Sequence, residues 1–229
     1  MSLEMRELIH AVLIGLIFPL GAMIAAWYAP RYGYKSKEAI RYALTVNVLV
    51  VAFSFALTWI AEGLGYDIGL NAYRSYLLLP LMTLAISRHW KIPMLHGADF
   101  MTPIMFFERT MVVIGCNIQG CAASIPCDWG QYSPTSGCRV FPMDLIDLIG
   151  NFAVSIISLV YAKKLNYKGD GRIFALSMYL LAIVRAVIQF GCRECWWGIR
   201  GINDETLYSV LAIIMAYFIF KNFTKSTKI

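Results

Sequence analysis

The stretch His96–Cys121, HGADFMTPIMFFERTMVVIGCNIQGC, begins in a short polar linker, crosses a mostly apolar run and ends in a segment rich in Gly and Cys. Glu108 and Arg109 stand side by side inside the apolar part. On insertion scales a charged side chain at the centre of a membrane helix costs roughly 2.5–3.5 kcal/mol, so charge retained there marks a functional site by default. The rest of the chain reads as scaffold around this segment.

Composition supports that reading. The 229 residues are 59% apolar and only 15% charged, with a mean hydropathy of +0.62. Soluble domains carry about 25% charged residues, so this composition points to a polytopic, all-α membrane protein forming one transmembrane domain over 1–229. The formal charge of +6 does not indicate a nucleic-acid surface, because the basic residues sit in short loops between apolar runs. The N-terminal MSLEMRELIHAVLIGLIF lacks a basic n-region and a small-residue cleavage site, and is read as the first span.

Seven spans are expected, at 8–29, 40–62, 70–87, 98–115, 142–162, 172–191 and 206–220, each near the length a helix needs to cross the hydrocarbon core. Loops 30–39, 88–97 and 163–171 and the C-terminal tail hold most of the Lys and Arg, whereas 63–69, 116–141 and 192–205 are poor in them or balanced by acids. The asymmetry puts the N-terminus outside and the C-terminus in the cytoplasm. Cys116, Cys121, Cys127, Cys138, Cys192 and Cys195 then all fall in or beside the outer loops 116–141 and 192–205. An even number of cysteines on the oxidising side reads as disulfides, with the pairing open. A redox dithiol at Cys192-x-x-Cys195 is an alternative. The spacings fit no standard pair of zinc knuckles, and neither a metal nor a cofactor is expected.

The same topology gathers polar residues near the outer leaflet. They are Glu108 and Arg109 of span 4, Asp144 and Asp147 of span 5, Arg185 and Gln189 of span 6, and His10 near the outer end of span 1. Asp144 and Asp147 share a helix face, as do Arg185 and Gln189. Two readings follow: mutual pairing, Asp144 or Asp147 with Arg185, or a pocket whose arginines bind a lipid phosphate. His89 and His96 read as loop residues, and Asp99 as an N-cap or turn residue of span 4. Trp129, Trp196 and Trp197 suit an interfacial belt.

Three segments resemble the bacterial prolipoprotein diacylglyceryl transferases. WKIPMLHGADFMTPIMFFERTMVVIGCNIQGC (Trp90–Cys121) is similar to that family's central segment, with Asp99, Phe100, Pro103, Gly115, Cys116 and Gly120 in register. FPMDLID (Phe141–Asp147) and GRIFALSMYLLAIVRAVIQFGCRE (Gly171–Glu194) resemble two further motifs, the latter through Gly171, Phe174, Tyr179 (one place off) and Arg185. The resemblance covers residues 90–195 and implies seven spans, a bacterial inner-membrane location and transfer of a diacylglyceryl group from phosphatidylglycerol to the cysteine thiol of a lipoprotein precursor. It implies that Arg185 is the essential arginine of span 6 and that Asp147 stands at a glutamate position. The chain also departs from the pattern. The motif arginine falls on Val113, with Arg109 one turn earlier. The span 6 glutamate is Gln189, the last arginine is Cys192 followed by Arg193, and the family's histidine falls near Tyr76.

The expected site therefore has Arg185, Arg109, Asp147 and Asp144 as reacting or orienting groups. Arg193, Gln189, Glu108, Cys116, Gly115, Gly120 and Tyr76 are expected to line the substrate. The alternatives are a family member that binds phospholipid or a partner protein without the standard activity, and a thiol–disulfide oxidoreductase using Cys192 and Cys195.

Overall fold

A computed structural model describes residues 3–64, 79–120, 124–191 and 204–226. Seven α-helices lie within them: α1 (Leu3–Tyr28), α2 (Ser36–Gly63), α3 (Leu79–Trp90), α4 (Met94–Gln119), α5 (Met143–Lys164), α6 (Arg172–Gln189) and α7 (Asp204–Ser226). Each overlaps an expected span, although the expected third span begins outside the described residues. Among the described residues four segments are long and apolar enough to cross a membrane, Glu4–Tyr32, Ser36–Ile60, Met143–Lys164 and Arg172–Gln189, and Thr206–Asn222 is a shorter apolar one. Large apolar side chains such as Met23, Phe55, Trp59, Phe152 and Phe218 face outward. A soluble protein would bury many of these, whereas lipid tails solvate them as well as a core does.

The hub is α4. It packs against α1, α3, α5 and α6. Fourteen of its 26 residues are buried, among them Asp99, Phe100, Met101, Ile104, Phe106 and Glu108. Three charged residues make it too polar to face lipid, which is why it sits inside the bundle. Antiparallel α1 brings Gly21 against Glu108 and His10 against Gly115, where an added Cβ would collide with those side chains.

At one end, the tyrosine end, rings from three parts of the chain close over α4. Tyr28, Tyr32 and Phe100 contact one another, and Tyr167 joins them. The His96 ring lies 5.3 Å from both Tyr32 and Tyr34. His89 and His96 were expected in a loop, but both are helical, because the α3–α4 connection is only 91–93. Asp99 also differs from expectation. It lies inside α4, which begins at Met94 behind Pro93, and it caps a different helix. Its carboxylate accepts hydrogen bonds from the Gly171 and Phe174 amides, both at 2.8 Å, at the start of α6. Gly171 offers no side chain for this purpose, so a buried acid from a neighbour answers the exposed amides of that helix end.

Among the described residues, the other end carries the departure from an all-α fold. Expected as a Cys-rich loop, 116–141 instead continues α4 to Gln119, turns at Gly120 (φ +79°) and forms an antiparallel hairpin, β1 (Pro126–Ser133) with β2 (Cys138–Val140). The hairpin is tied down over α4. Asn117 Nδ2 donates to Gln131 Oε1 at 3.1 Å, and Thr135 Oγ1 donates to the Gly120 carbonyl at 3.0 Å. Arg139 is used within it, donating to the Gly130 carbonyl at 2.9 Å. Trp129 is exposed on β1 against Phe141.

Candidate functional site

Between the hairpin and the bundle core, Asp147 gathers charge from three helices. It sits in the second turn of α5 and is buried. Its Oδ2 accepts from Arg109 of α4 at 3.0 Å and from Arg185 of α6 at 3.3 Å. Oδ1 accepts from Asn151 Nδ2, one turn along α5, at 2.7 Å, and the same amide also donates to the Asp147 carbonyl at 2.6 Å. The arrangement places two guanidinium groups around one carboxylate in a region screened from water. Bare cations at this depth would be prohibitively desolvated, and one anion compensates part of that cost.

Each guanidinium carries five N–H donors, and its bond to Asp147 uses one nitrogen. The planar fork suits phosphate and carboxylate oxygens. Gln189 is buried one turn beyond Arg185 on α6, and Val113, at the motif-arginine position, is a buried core residue one turn beyond Arg109 on α4. Asp144, one turn before Asp147, lines a crevice beneath the hairpin with Asn117, Gly120 and Gln131.

Glu108 and Arg109 diverge. Successive helix positions point about 100° apart, so adjacent residues face different neighbours. Arg109 turns to α5, while Glu108 turns to α1 and α2, accepting from Asn47 Nδ2 at 2.6 Å. Glu108 therefore knits α4 to α2 across the small Gly21 of α1 rather than joining the arginines. Asn47 and Asn151 were not among the expected residues. Asn151 was legible as an i+4 neighbour of Asp147, but Asn47, from a distant helix, left no local signal.

A third group stands nearest the hairpin. His10 Nδ1 pairs with Gln119 Oε1 across the α1–α4 interface, and His10 Nε2 lies 3.9 Å from Cys116 Sγ. Gly115 admits the imidazole, since a Cβ there would overlap the ring. Gly120 serves as the left-handed cap of α4. These two glycines act through backbone geometry and packing.

Among the described residues the cysteines form none of the expected disulfides. No disulfide joins Cys116, Cys127 and Cys138, although the hairpin brings Cys138 opposite Ser133. Cys121, Cys192 and Cys195, together with Tyr76, Arg193, Trp196 and Trp197, lie outside the described residues. Among the described residues no group of three His, Cys, Asp or Glu side chains could hold a metal ion. A cavity of about 510 Å³ lies at the tyrosine end, between the starts of α2 and the end of α3, lined by Tyr34, Glu38, Arg41, His89, Trp90 and Lys91.

A family model described as prolipoprotein diacylglyceryl transferase matches residues 8–221. The chain belongs to that family. The match runs well beyond the 90–195 region in which the motifs were recognised, and takes in α1, which supplies His10, and α2, which supplies Asn47. No curated protein matches the chain. Family membership and the apolar helices together give a membrane protein with a diacylglyceryl-transferase-like function in lipoprotein biogenesis.

Proposed function

We propose that this protein transfers a diacylglyceryl group from an anionic phospholipid, phosphatidylglycerol in the first instance, to the cysteine thiol of a lipoprotein precursor. The reaction takes place at the outer leaflet of a bacterial inner membrane. Seven spans with the N-terminus outside put the hairpin end at that leaflet, in keeping with the Lys/Arg asymmetry of the loops.

The observation that carries this reading is the Asp147 cluster. Nucleophilic displacement at the glyceryl carbon expels a glycerol phosphate, and charge develops on its departing oxygen. Preorganised cations aimed at that oxygen lower the barrier, and they act most strongly where water is excluded. Arg109 and Arg185 supply two such cations on separate helices. Asp147 and Asn151 hold them in place before substrate arrives, so little reorganisation is needed during reaction. Asp144 lies one turn before Asp147 on α5, Gln189 one turn beyond Arg185 on α6, and Arg193 four residues after that helix in sequence.

The test is direct. Purified protein in phosphatidylglycerol nanodiscs is incubated with a lipobox peptide, and the peptide thiol is followed by mass spectrometry. A diacylglyceryl mass increment in the wild type, lost in Arg185→Ala, is expected. An unmodified peptide over a range of anionic lipids, with lipid still bound to the protein, would replace this reading with that of a lipid-binding family member. The family-motif arginine falling on Val113 is the observation that favours that alternative.

A further inference from the structure

We propose that His10 is the group that takes the proton from the acceptor thiol. This rests on the transfer reaction proposed above, which needs a base because the thiolate, not the thiol, is the nucleophile. At the family's histidine position the sequence offers no histidine near Tyr76. The fold supplies an imidazole from another helix.

Four features single out His10. It is half-buried near the start of α1, at the hairpin end of the bundle. With Gln119 Oε1 accepting at Nδ1, the proton is fixed on that nitrogen and the lone pair is left on Nε2. Nε2 already has a thiol beside it, Cys116 Sγ at 3.9 Å, so the site accommodates sulfur. Finally, Gly115 removes the Cβ that would push the ring away. A base held by a third group, with its free nitrogen against a thiol, is the arrangement that activates nucleophiles generally.

The spacing to the arginines also fits. Cys116 lies two turns beyond Arg109 on one face of α4, roughly 10 Å along the axis. In a displacement, the nucleophile enters opposite the leaving group, with reacting atoms about 3–3.5 Å apart. Base-to-sulfur and arginine-to-phosphate contacts each add a hydrogen-bond length of about 3 Å. The rise from Arg109 to Cys116 is thus of the same order as the span a base and a phosphate clamp must bridge. The step balances as follows. The thiol proton passes to His10 Nε2 and the sulfur pair forms the S–C bond to the glyceryl carbon. The C–O bond to phosphorus-bound oxygen breaks, and its electron pair departs with the glycerol phosphate.

Two measurements test this. In the nanodisc assay, His10→Gln is expected to lower kcat by at least about 100-fold, as loss of a general base does, with KM within a few-fold. The acid limb of the wild-type pH profile should disappear, and added imidazole should recover part of the rate in His10→Ala. A His10→Gln enzyme with wild-type kcat and pH profile overturns the assignment. The second measurement does not depend on transfer: alkylation of Cys116 by iodoacetamide, followed by peptide mapping. Its rate should fall about tenfold in His10→Gln at pH 7, a lower bound for base assistance. An alkylation rate indifferent to His10 overturns the assignment even if transfer occurs. Alkylation that depends on His10 in a protein that transfers no lipid overturns the proposed function and leaves His10 as a base toward thiols.

Discussion

The two ends of the bundle each bury a carboxylate, and they satisfy it in opposite ways. At the tyrosine end Asp99 accepts from two backbone amides of α6. At the hairpin end Asp147 accepts from two arginines and an asparagine on three helices. Backbone amides are fixed by their helix and have no second use, so the Asp99 arrangement holds α6 against α4 and goes no further. Guanidinium groups are planar forks whose geometry suits the oxygens of an incoming anion as well as those of a carboxylate. A buried carboxylate is thus a structural cap in one case and a holder of cations in the other, and the partner decides which.

That contrast can be broken by mutation, most strongly at Asp147. Asp147→Ala leaves two buried guanidinium groups without their carboxylate, and removing one partner of a buried ion pair costs about 3–5 kcal/mol. We expect loss of both thermal stability in detergent and transfer. Full activity in this variant would show that the arginines need no holder. Asp99→Ala should cost about 2–6 kcal/mol, since each of two orphaned amides costs about 1–3. Its signature is different: transfer per folded molecule should stay within a few-fold of wild type, as measured on the fraction that resists limited proteolysis. A deep loss of kcat there would erase the distinction between the ends.

Smaller effects sharpen it. Gly21→Ala places a methyl on the Glu108 carboxylate, and overpacking of this kind costs about 1–3 kcal/mol. Glu108→Gln keeps an acceptor for Asn47 and should cost less than Gly21→Ala, as unfolding midpoints would reveal. A glutamine variant inactive in transfer at normal stability would place Glu108 with the arginines after all. The smallest effect is a pH dependence at the tyrosine end. Burial lowers the His96 pKa from its ordinary value, and its Nε2 is buried without a partner among the described residues. Below an unfolded pKa of about 6.5 the unfolded chain binds the proton more readily, so stability present above that pH is lost as pH falls toward the lower folded value. His96→Phe should flatten the fall in unfolding midpoint between pH 7.5 and 5, and an unchanged slope would assign it to other groups.

Much of the fold was legible because apolar run length and loop charge are local properties. Each described helix overlaps an expected apolar run, and the family motifs are read along single segments. The hairpin was not legible, since PCDWGQYS and CRV are too short and too polar to show a strand period. Among the site residues, Asp147, Arg185 and Arg109 were identified from charge in apolar helices, and their convergence on one carboxylate matches the expected Asp–Arg pairing with a second arginine added. Asn47 left no signal because a neutral amide inside a span costs too little to stand out, whereas Asn151 could have been found only through its i+4 spacing from Asp147.

The sequence by itself determined that this is a membrane protein of apolar helices and that charge is retained inside some of them, because each follows from the cost of placing particular side chains in hydrocarbon. Only the tertiary structure decided the partners. Adjacent Glu108 and Arg109 part company by a helical rotation, Asp99 caps a helix begun 72 residues later, and His10 meets Cys116 across 106 residues. Such pairings depend on which helix faces turn toward each other, and packing around α4 fixes those faces in a way no local pattern records.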